Sequence, residues 1–348
     1  MVKIGRSLAE ITIGEKTDRI MLTDSTRRRR FNHLINSHSK SMYLTLLKIL
    51  WKVSNKAGRV LRAIEMDASA QIHSQSTQAF SPQKQQDAVV ASTKYNMRES
   101  PGENFYAKQY WANFKEYLPS KTSAPRVADL GCGQGRFTLE FAREYSQAQI
   151  VGIDLSPDAI DNARTYASSE RLTNVEFICS SIEDSVKSFD SSSLDILLFT
   201  ETSFYFPNWR NIFGELCSKV KPGGLIIASF RSTYFNVLLL TAEQRLADAE
   251  RVVTSRQGPL WAQNPVHFSW NNSMELVEEL QSQNLEVLRV VGIGSCSGIT
   301  GDPHATIVRP WNLSQEEQDR LMRVELAMGE IVPDAGRYIL IVARKKIV

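Results

Sequence analysis

The sequence predicts an α/β fold in which a doubly wound, mostly parallel sheet carries helices on both faces. Three observations predict it. Short apolar runs alternate with helical stretches between residues 126 and 230. The first run, residues 127–130, leads into a glycine-rich turn, Gly131-Cys132-Gly133-Gln134-Gly135, with a helix expected to follow. The second run, residues 149–154, ends on an acid about 20 residues beyond the glycines.

The glycine-rich turn and the acid after the second run indicate a nucleoside-binding site. Gly-x-Gly-x-Gly lets the backbone turn sharply and lets a ligand approach it, because side chains there would be in the way. Arg136 stands where the dinucleotide-binding fingerprint has its last glycine, and Asp129 precedes the first glycine by two residues. These two residues depart from a pyrophosphate cradle. Asp154 is spaced to accept hydrogen bonds from both hydroxyls of a ribose.

This arrangement resembles the cofactor loop of the class I S-adenosylmethionine (SAM) methyltransferases. The resemblance covers residues 126–230 and includes the turn Lys221-Pro222-Gly223-Gly224 before the fifth strand. It implies SAM as the cofactor and a Rossmann-like sheet of seven strands. In the family the last strand, here residues 338–343, enters antiparallel between the fifth and the sixth.

The resemblance also implies which residues contact the cofactor. They come from the glycine loop, from the strand ends and from the segment before the first strand: Asp129, Gly131, Gly133, Gly135, Asp154, Leu155, Ser181, Ile182, Thr200 and Tyr106. The family usually has an acid at the Ser181 position that contacts the adenine amine. Because this chain has a serine there, the Ile182 backbone N–H or a neighbouring acid would contact the adenine instead.

The aromatic residues before the first strand allow two interpretations. Their helical spacing favours a helix whose aromatic face packs on the sheet. In small-molecule methyltransferases, however, the segment before the first strand commonly covers the cofactor. This makes Tyr95, Tyr106 and Tyr110 candidates for the pocket.

Composition divides the chain into three regions. Residues 1–65 form a basic, partly helical N-terminal extension, and residues 66–93, rich in Ser, Gln and Ala, form a polar linker. Residues 94–348 form the methyltransferase domain with insertions at 231–270 and 294–336. Both insertions are expected near the carboxyl ends of the parallel strands, where they would form the acceptor pocket.

The N-terminal extension carries most of the positive charge. Residues 1–60 have a net charge of +9, against −6 for the remainder. The extension combines the run Arg27-Arg28-Arg29-Arg30 with apolar residues at helical spacing between 41 and 64. One interpretation is a helix packed on the catalytic domain. A second is a membrane-surface helix, which would give peripheral membrane contact through residues 27–64. The third interpretation is a targeting peptide, which the acidic residues of the extension support poorly.

The positions of the cysteines and histidines argue against metal sites. The four cysteines include no Cys-x-x-Cys pair, which argues against a structural zinc site and for a reducing compartment. The five histidines are dispersed, so we predict no metal site. No apolar run approaches the roughly 20 residues that span a bilayer. The expected location is therefore cytoplasmic, with peripheral membrane association as the alternative.

The segment after the fourth strand, Thr200-Glu201-Thr202-Ser203, bears on the acceptor. It lacks the Asn/Asp-Pro-Pro-Tyr signature of base-amine methyltransferases, the Pro-Cys pattern of cytosine-C5 enzymes and the paired glutamates of arginine methyltransferases. The aromatic insertions favour a small, lipophilic or secondary-metabolite-like acceptor, methylated on O, N or C, and no nucleic acid. The methyl group of SAM is already activated, so a general base is needed chiefly for a hydroxyl acceptor. The candidate bases are His267, His304 and Glu201.

Two alternatives remain open. One is an RNA or protein methyltransferase recruited through the basic arm, and the other is a non-catalytic SAM-binding assembly factor. Fold alone does not choose among them. The sequence does not indicate an oligomeric state.

Overall fold

The computed structural model describes residues 82–92, 96–259, 266–299 and 308–347. The predicted basic extension, 1–65, and residues 66–81 of the predicted linker lie outside the described residues. The linker prediction is wrong for residues 82–92, which form helix α1, Pro82–Ser92. Gln, Lys and Ala are good helix formers, and α1 is also held by hydrogen bonds from Gln85 to the backbone of two loops of the main domain.

The central sheet has seven strands in the order β3-β2-β1-β4-β5-β9-β8. The strands are β1 Arg126–Leu130, β2 Gln149–Asp154, β3 Val175–Cys179, β4 Leu194–Phe199, β5 Val220–Arg231, β8 Leu285–Ile293 and β9 Tyr338–Lys345, and a separate hairpin pairs β6 Gln257–Pro259 with β7 His267–Ser269. Strands β1 to β5 pair in parallel, and β9 is antiparallel to both β5 and β8. The predicted sheet and its antiparallel last strand are confirmed.

Helices cover both faces of the sheet, as a doubly wound fold requires. Besides α1 they are α2 Pro101–Phe114, α3 Thr138–Glu144, α4 Pro157–Ser169, α5 Ile182–Ser188, α6 Trp209–Lys219, α7 Thr233–Ala242, α8 Leu246–Ser255, α9 Ser273–Ser282 and α10 Gln315–Ile331. Alternate residues of each strand enter opposite cores. In β4, for example, Ile196 and Leu198 pack with the aromatic side of α2 and α3, whereas Leu197 and Phe199 pack with α6 and α9.

Strand β5 is longer than predicted. A strand was expected only after the Lys-Pro-Gly-Gly turn, but β5 begins before it, at Val220. Leu194 of β4 pairs with Val220, and the next pair joins Ile196 to Leu225, so residues 221–224 bulge out of the ladder. Gly223 has φ +81° within this bulge, a conformation that suits glycine.

The two predicted insertions contain regular structure. Residues 231–270 hold α7, α8 and the β6–β7 hairpin, and Asn272 then caps α9 by accepting a hydrogen bond from the Glu275 backbone N–H at 2.9 Å. Helix α10 begins with a capping box, in which the side chains of Ser314 and Glu317 each bond to the backbone N–H of the other residue. Among the residues that the structure describes, no helix is long and apolar enough to cross a membrane.

Candidate functional site

A cavity of about 620 Å³ opens at the carboxyl ends of the parallel strands. Its walls come from the glycine loop after β1, from the ends of β2, β3, β4 and β5, and from α1. This is the edge at which doubly wound sheets bind ligands, because the strand order reverses there between β1 and β4. The cavity contains most of the residues predicted to hold a cofactor.

The glycine loop folds back onto the end of β2. The backbone N–H groups of Gly131 and Cys132 both donate to the Ile153 carbonyl, at 2.8 and 2.9 Å. Gly131 has φ +75°, and a Cβ there would lie 2.1 Å from the Thr202 hydroxyl oxygen. Gly133 has φ +54°, and a Cβ there would meet only the Met97 sulfur, at 3.8 Å. The loop is therefore packed tightly at Gly131 and presents bare backbone to the cavity at Gly133.

Asp154 lies at the end of β2 with its carboxylate in the cavity wall. Its Oδ1 accepts from the Ser156 N–H at 2.9 Å, and its Oδ2 accepts from the Gly133 N–H at 2.8 Å. Burial raises the pKa of Asp154, while these backbone donors counteract the increase. Each oxygen keeps a further lone pair, so the carboxylate can accept from two adjacent hydroxyls. The geometry fits a ribose diol.

Asp129 lies at the start of the loop and is almost completely buried. The Thr138 hydroxyl donates to its Oδ2 at 2.6 Å. Burial raises the pKa of Asp129 to about 6, despite this hydrogen bond and the nearby Arg136 guanidinium. Asp129 also lines the cavity, where its carboxylate can accept a hydrogen bond from a ligand ammonium group.

We expect the Asp129 carboxylate to make stability depend on pH. Its folded-state pKa of about 6 lies above the ordinary pKa of an aspartate side chain, about 3.9. The folded chain therefore binds more protons than the unfolded chain between these values, and stability falls as the pH rises through that window. The variant Asp129→Asn keeps an oxygen for Thr138 but does not titrate. The free energy of unfolding of this variant, minus that of wild type, should therefore rise by roughly 2 kcal/mol from pH 4 to pH 7. Urea unfolding at several pH values checks this, and a pH-independent difference would contradict it.

Arg136, two residues before α3, joins two buried carboxylates at the cavity wall. Its Nη1 lies 3.0 Å from Glu103 of α2 and its Nη2 lies 2.7 Å from Glu201 after β4. The side chain of Arg136 is only 12% exposed, that of Glu103 is 3% exposed and that of Glu201 is 13% exposed. Burial opposes the charge on Arg136, but the two glutamates outweigh it and raise the pKa of the guanidinium. The arginine in place of the dinucleotide glycine thus connects the loop to α2 and to β4.

Glu201 has the unusual backbone conformation of φ +54°. A non-glycine residue in this region is strained, and such residues concentrate at functional sites. Its N–H donates to the Ser229 hydroxyl at 2.7 Å, and its side chain is held by Arg136. Two fixed partners therefore hold Glu201 at the point where β4 enters the cavity.

Most of the predicted cofactor residues line the cavity, and two do not. The residues that line it are Asp129, Gly131, Gly133, Asp154, Leu155, Ser181, Ile182 and Thr200. Gly135 instead turns the loop at φ +80° against Leu139 and Phe177, where a Cβ would lie 3.1 Å from each side chain. Tyr106 is buried in the core, and its hydroxyl donates to the Ser297 carbonyl at 2.6 Å. The prediction that Tyr106 lines the pocket is wrong, because α2 turns this residue toward the sheet.

Tyr110 is also buried in the core, so the packed-helix interpretation of the aromatic segment holds for both tyrosines. Tyr95 lies outside the described residues. The Ser181 hydroxyl caps α5, accepting from the Asp184 N–H at 3.1 Å, and donates to the Asp184 carboxylate at 2.9 Å. Asp184 thus lies beside the position at which the family usually has an acid.

The three candidate bases are in different situations. Glu201 lines the cavity but forms an ion pair with Arg136. His267 lies on the β6–β7 hairpin and is not part of the cavity wall, although burial and the nearby Arg251 lower its pKa and favour the neutral ring. His304 lies outside the described residues. Of the two described candidates, only Glu201 lines the cavity.

Helix α1 contributes a wall that the sequence did not indicate. The Gln85 amide donates to the Tyr205 carbonyl at 3.0 Å and to the His267 carbonyl at 2.7 Å, and its oxygen accepts from the His267 N–H at 2.7 Å. One side chain therefore joins α1 to the loop after β4 and to the hairpin. Other residues that line the cavity and were not predicted from the sequence are Arg136, Arg231, Arg337, Tyr338 and Ile299.

Ile299 is held in the wall by a buried carboxylate behind it. Glu325 of α10 is fully buried, and it accepts hydrogen bonds from the backbone N–H groups of Ser295, Cys296 and Ser297. These donors belong to the loop that leads to Ile299. In the described parts of the chain, no cluster of His, Cys, Asp or Glu could hold a metal ion.

Comparison with known proteins gives consistent matches over this region. Residues 121–283 match a family model described as a methyltransferase domain. A sterol 24-C-methyltransferase of Neurospora crassa is 31% identical over 36% of this chain and 33% of its own length. A ubiquinone biosynthesis O-methyltransferase of Coxiella burnetii is 28% identical over 48% of this chain and 66% of its own. The chain thus spans between one third and two thirds of the length of these curated relatives.

Solved structures also match. One is the crystal structure of a putative S-adenosylmethionine dependent methyltransferase from Listeria monocytogenes. It has 19% sequence identity and a TM-score of 0.48, and the match covers 70% of this chain and all of that one.

Proposed function

We propose that this chain, whose residues 121–283 match a methyltransferase-domain model, is a class I SAM-dependent methyltransferase that transfers a methyl group to a small-molecule acceptor. SAM is the cofactor of this family, and when bound it supplies a methyl group already activated by a sulfonium. The two named relatives are described as a sterol 24-C-methyltransferase and a ubiquinone biosynthesis O-methyltransferase, and these descriptions support a small-molecule acceptor here.

The observation that carries the proposal is the single continuous cavity. One end presents the glycine backbone and the Asp154 carboxylate, which suit the nucleoside. The other end presents the rings of Phe204, Tyr205 and Phe206. α1 covers part of this cavity through Gln85. A covered cavity of about 620 Å³ has the size of sites that enclose small molecules.

The residues of the chain contribute mainly positioning. Asp154 and the loop fix the nucleoside, the Arg136 ion pairs hold α2 and β4 against the loop, and the aromatic wall excludes water from the acceptor side. Methyl transfer requires the acceptor atom to lie in line with the carbon–sulfur bond, and holding this geometry lowers the barrier without further chemistry. A neutral amine or an activated carbon acceptor is itself nucleophilic, so it needs no catalytic base, whereas a hydroxyl acceptor does.

The test uses SAM with a radioactive methyl group and measures which molecules receive that group. A cell extract is separated by ultrafiltration into low- and high-molecular-weight fractions, and each is incubated with the full-length protein. We expect label in extractable small molecules and none in RNA or protein. Asp154→Ala should abolish the transfer, whereas Asp195→Ala, an acid outside the cavity wall, should not. Label found only in macromolecules would favour the alternative of recruitment through the basic arm, and SAM binding without transfer would favour the assembly factor.

A further inference from the structure

Arg231 ends strand β5 at the acceptor side of the cavity. Its guanidinium lies over two aromatic rings, 4.7 Å from the centroid of Phe204 and 4.3 Å from that of Phe268. Contact with two rings limits the orientations available to the planar group. Its position is therefore set by the fold rather than by an acid.

The described residues provide no carboxylate that forms an ion pair with this cation. Among the residues that the structure describes, Arg231 forms no ion pair and no side-chain hydrogen bond, and its Nε is buried without an acceptor. Arg136, which lines the same cavity, pairs with two glutamates. A guanidinium stays protonated in proteins, so Arg231 carries its charge at the cavity wall.

A second guanidinium strengthens the positive charge at this end. Arg337 immediately precedes β9, whose Tyr338 is the register partner of Arg231, and both arginines line the cavity. Burial, and to a smaller extent the charge on Arg337, lowers the pKa of Arg231, whereas Tyr338, Tyr205 and Glu201 oppose this change. A partly desolvated charge without a counterion is costly, and a bound anion would relieve that cost. Arginine also presents donors in a fork that matches a carboxylate or a phosphate.

Arg231 lies far from the ribose site, since the two ends of the cavity are far apart in the sheet. Strand β5 is three strands from β2, the strand that carries Asp154. At the usual spacing this separates the strand ends by roughly 14 Å. The wall nearest Arg231 is aromatic, which suits an apolar body attached to the anionic group.

We propose that Arg231 binds the anionic head group, a carboxylate or a phosphate, of an acceptor whose body is apolar. This proposal rests on the proposed function, because it identifies the acceptor end of the same cavity. The acceptor enters with its charged group against the guanidinium and its apolar part along Phe204 and Tyr205. A neutral lipophile of the same length as such an acceptor is a poor ligand, because it has no anionic group for the guanidinium.

The experiment is calorimetric titration of the full-length protein, first with S-adenosylhomocysteine and then, in its presence, with octanoate, octyl phosphate or 1-octanol. We expect one or both anions to bind at least about 10-fold more tightly than the alcohol, and the two anions separate carboxylate from phosphate recognition. Arg231→Gln should remove this preference and leave the affinity for S-adenosylhomocysteine unchanged. The matched control is Arg210→Gln, because Arg210 also lies over a ring, that of Trp209 at 4.6 Å, but pairs with Glu279 outside the cavity.

Three results would overturn the proposal. They are anions that bind no better than octanol, anion binding that survives in Arg231→Gln, and a comparable loss of S-adenosylhomocysteine affinity in that variant, which would assign Arg231 to the cofactor. If the wild-type protein does not bind S-adenosylhomocysteine, the proposed function is contradicted instead. The anion titrations on the free protein then still decide the role of Arg231.

Discussion

Replacing Asp154 by alanine is expected to reduce the affinity for S-adenosylhomocysteine by at least about 100-fold, because two charge-assisted hydrogen bonds to the ribose are lost at once. The same change releases the Gly133 N–H, which donates to Asp154 at 2.8 Å, so the loop loses one of its own contacts. Calorimetric titration measures the affinity directly. Asp154→Asn, which keeps one acceptor oxygen, should fall between the alanine variant and wild type.

Asp195 provides the matched control for this variant. Its Oδ2 accepts from the Arg126 N–H at 2.8 Å and its Oδ1 accepts from Lys221 at 2.7 Å, so it too connects neighbouring parts of the sheet, but it lies outside the cavity wall. Asp195→Ala should cost some stability and leave the affinity unchanged. Equal affinities in wild type and in folded Asp154→Ala would contradict the assignment of the ribose site.

Replacing Arg136 by methionine is expected to lower the free energy of unfolding by about 3–5 kcal/mol, because two buried carboxylates lose their counterion. The side chains of Glu103 and Glu201 are 3% and 13% exposed, so water cannot replace the guanidinium. Urea unfolding measures the change. Adding Glu103→Gln and Glu201→Gln to the methionine variant should recover much of the loss.

Arg143 is the matched control for the buried group. It also pairs with two glutamates, Glu140 and Glu170, but its side chain is 35% exposed. Arg143→Met should cost about 1 kcal/mol or less, as exposed ion pairs do. Similar losses in the two variants would show that burial does not determine the strength of the Arg136 group.

The fold could be predicted where its signals are local. The apolar runs, the glycine turn and the acid after β2 lie within about 30 residues, and the N-caps of α9 and α10 depend on residues three positions apart. The β5 extension was missed because a turn sequence within a strand resembles a strand boundary. The helix α1 was missed because polar composition indicates a linker unless its tertiary contacts are known.

The site was predicted less completely, for the same physical reason. Arg136 pairs with residues 33 and 65 positions away, and Gln85 contacts His267 across 182 positions, so no spacing in the sequence indicates either contact. The Tyr106 assignment was wrong because helical spacing identifies an aromatic face but not the direction in which it turns. Arg231 gives no pattern in the sequence, since a cation that pairs with none of the described acids is recognisable only once its neighbours are known. The membrane-contact hypothesis for residues 27–64 stays a prediction.

The position of β9 has a consequence for how the chain folds while it is being synthesised. Strand β9 lies between β5 and β8 although it follows both in the sequence. Until it emerges from the ribosome, the edges of β5 and β8 that face it have no partner, and unpaired edges promote aggregation of nascent chains. Arg337 and Tyr338, which begin this last segment, also complete the cavity wall. The same strand therefore closes the gap between β5 and β8 and completes the cavity wall.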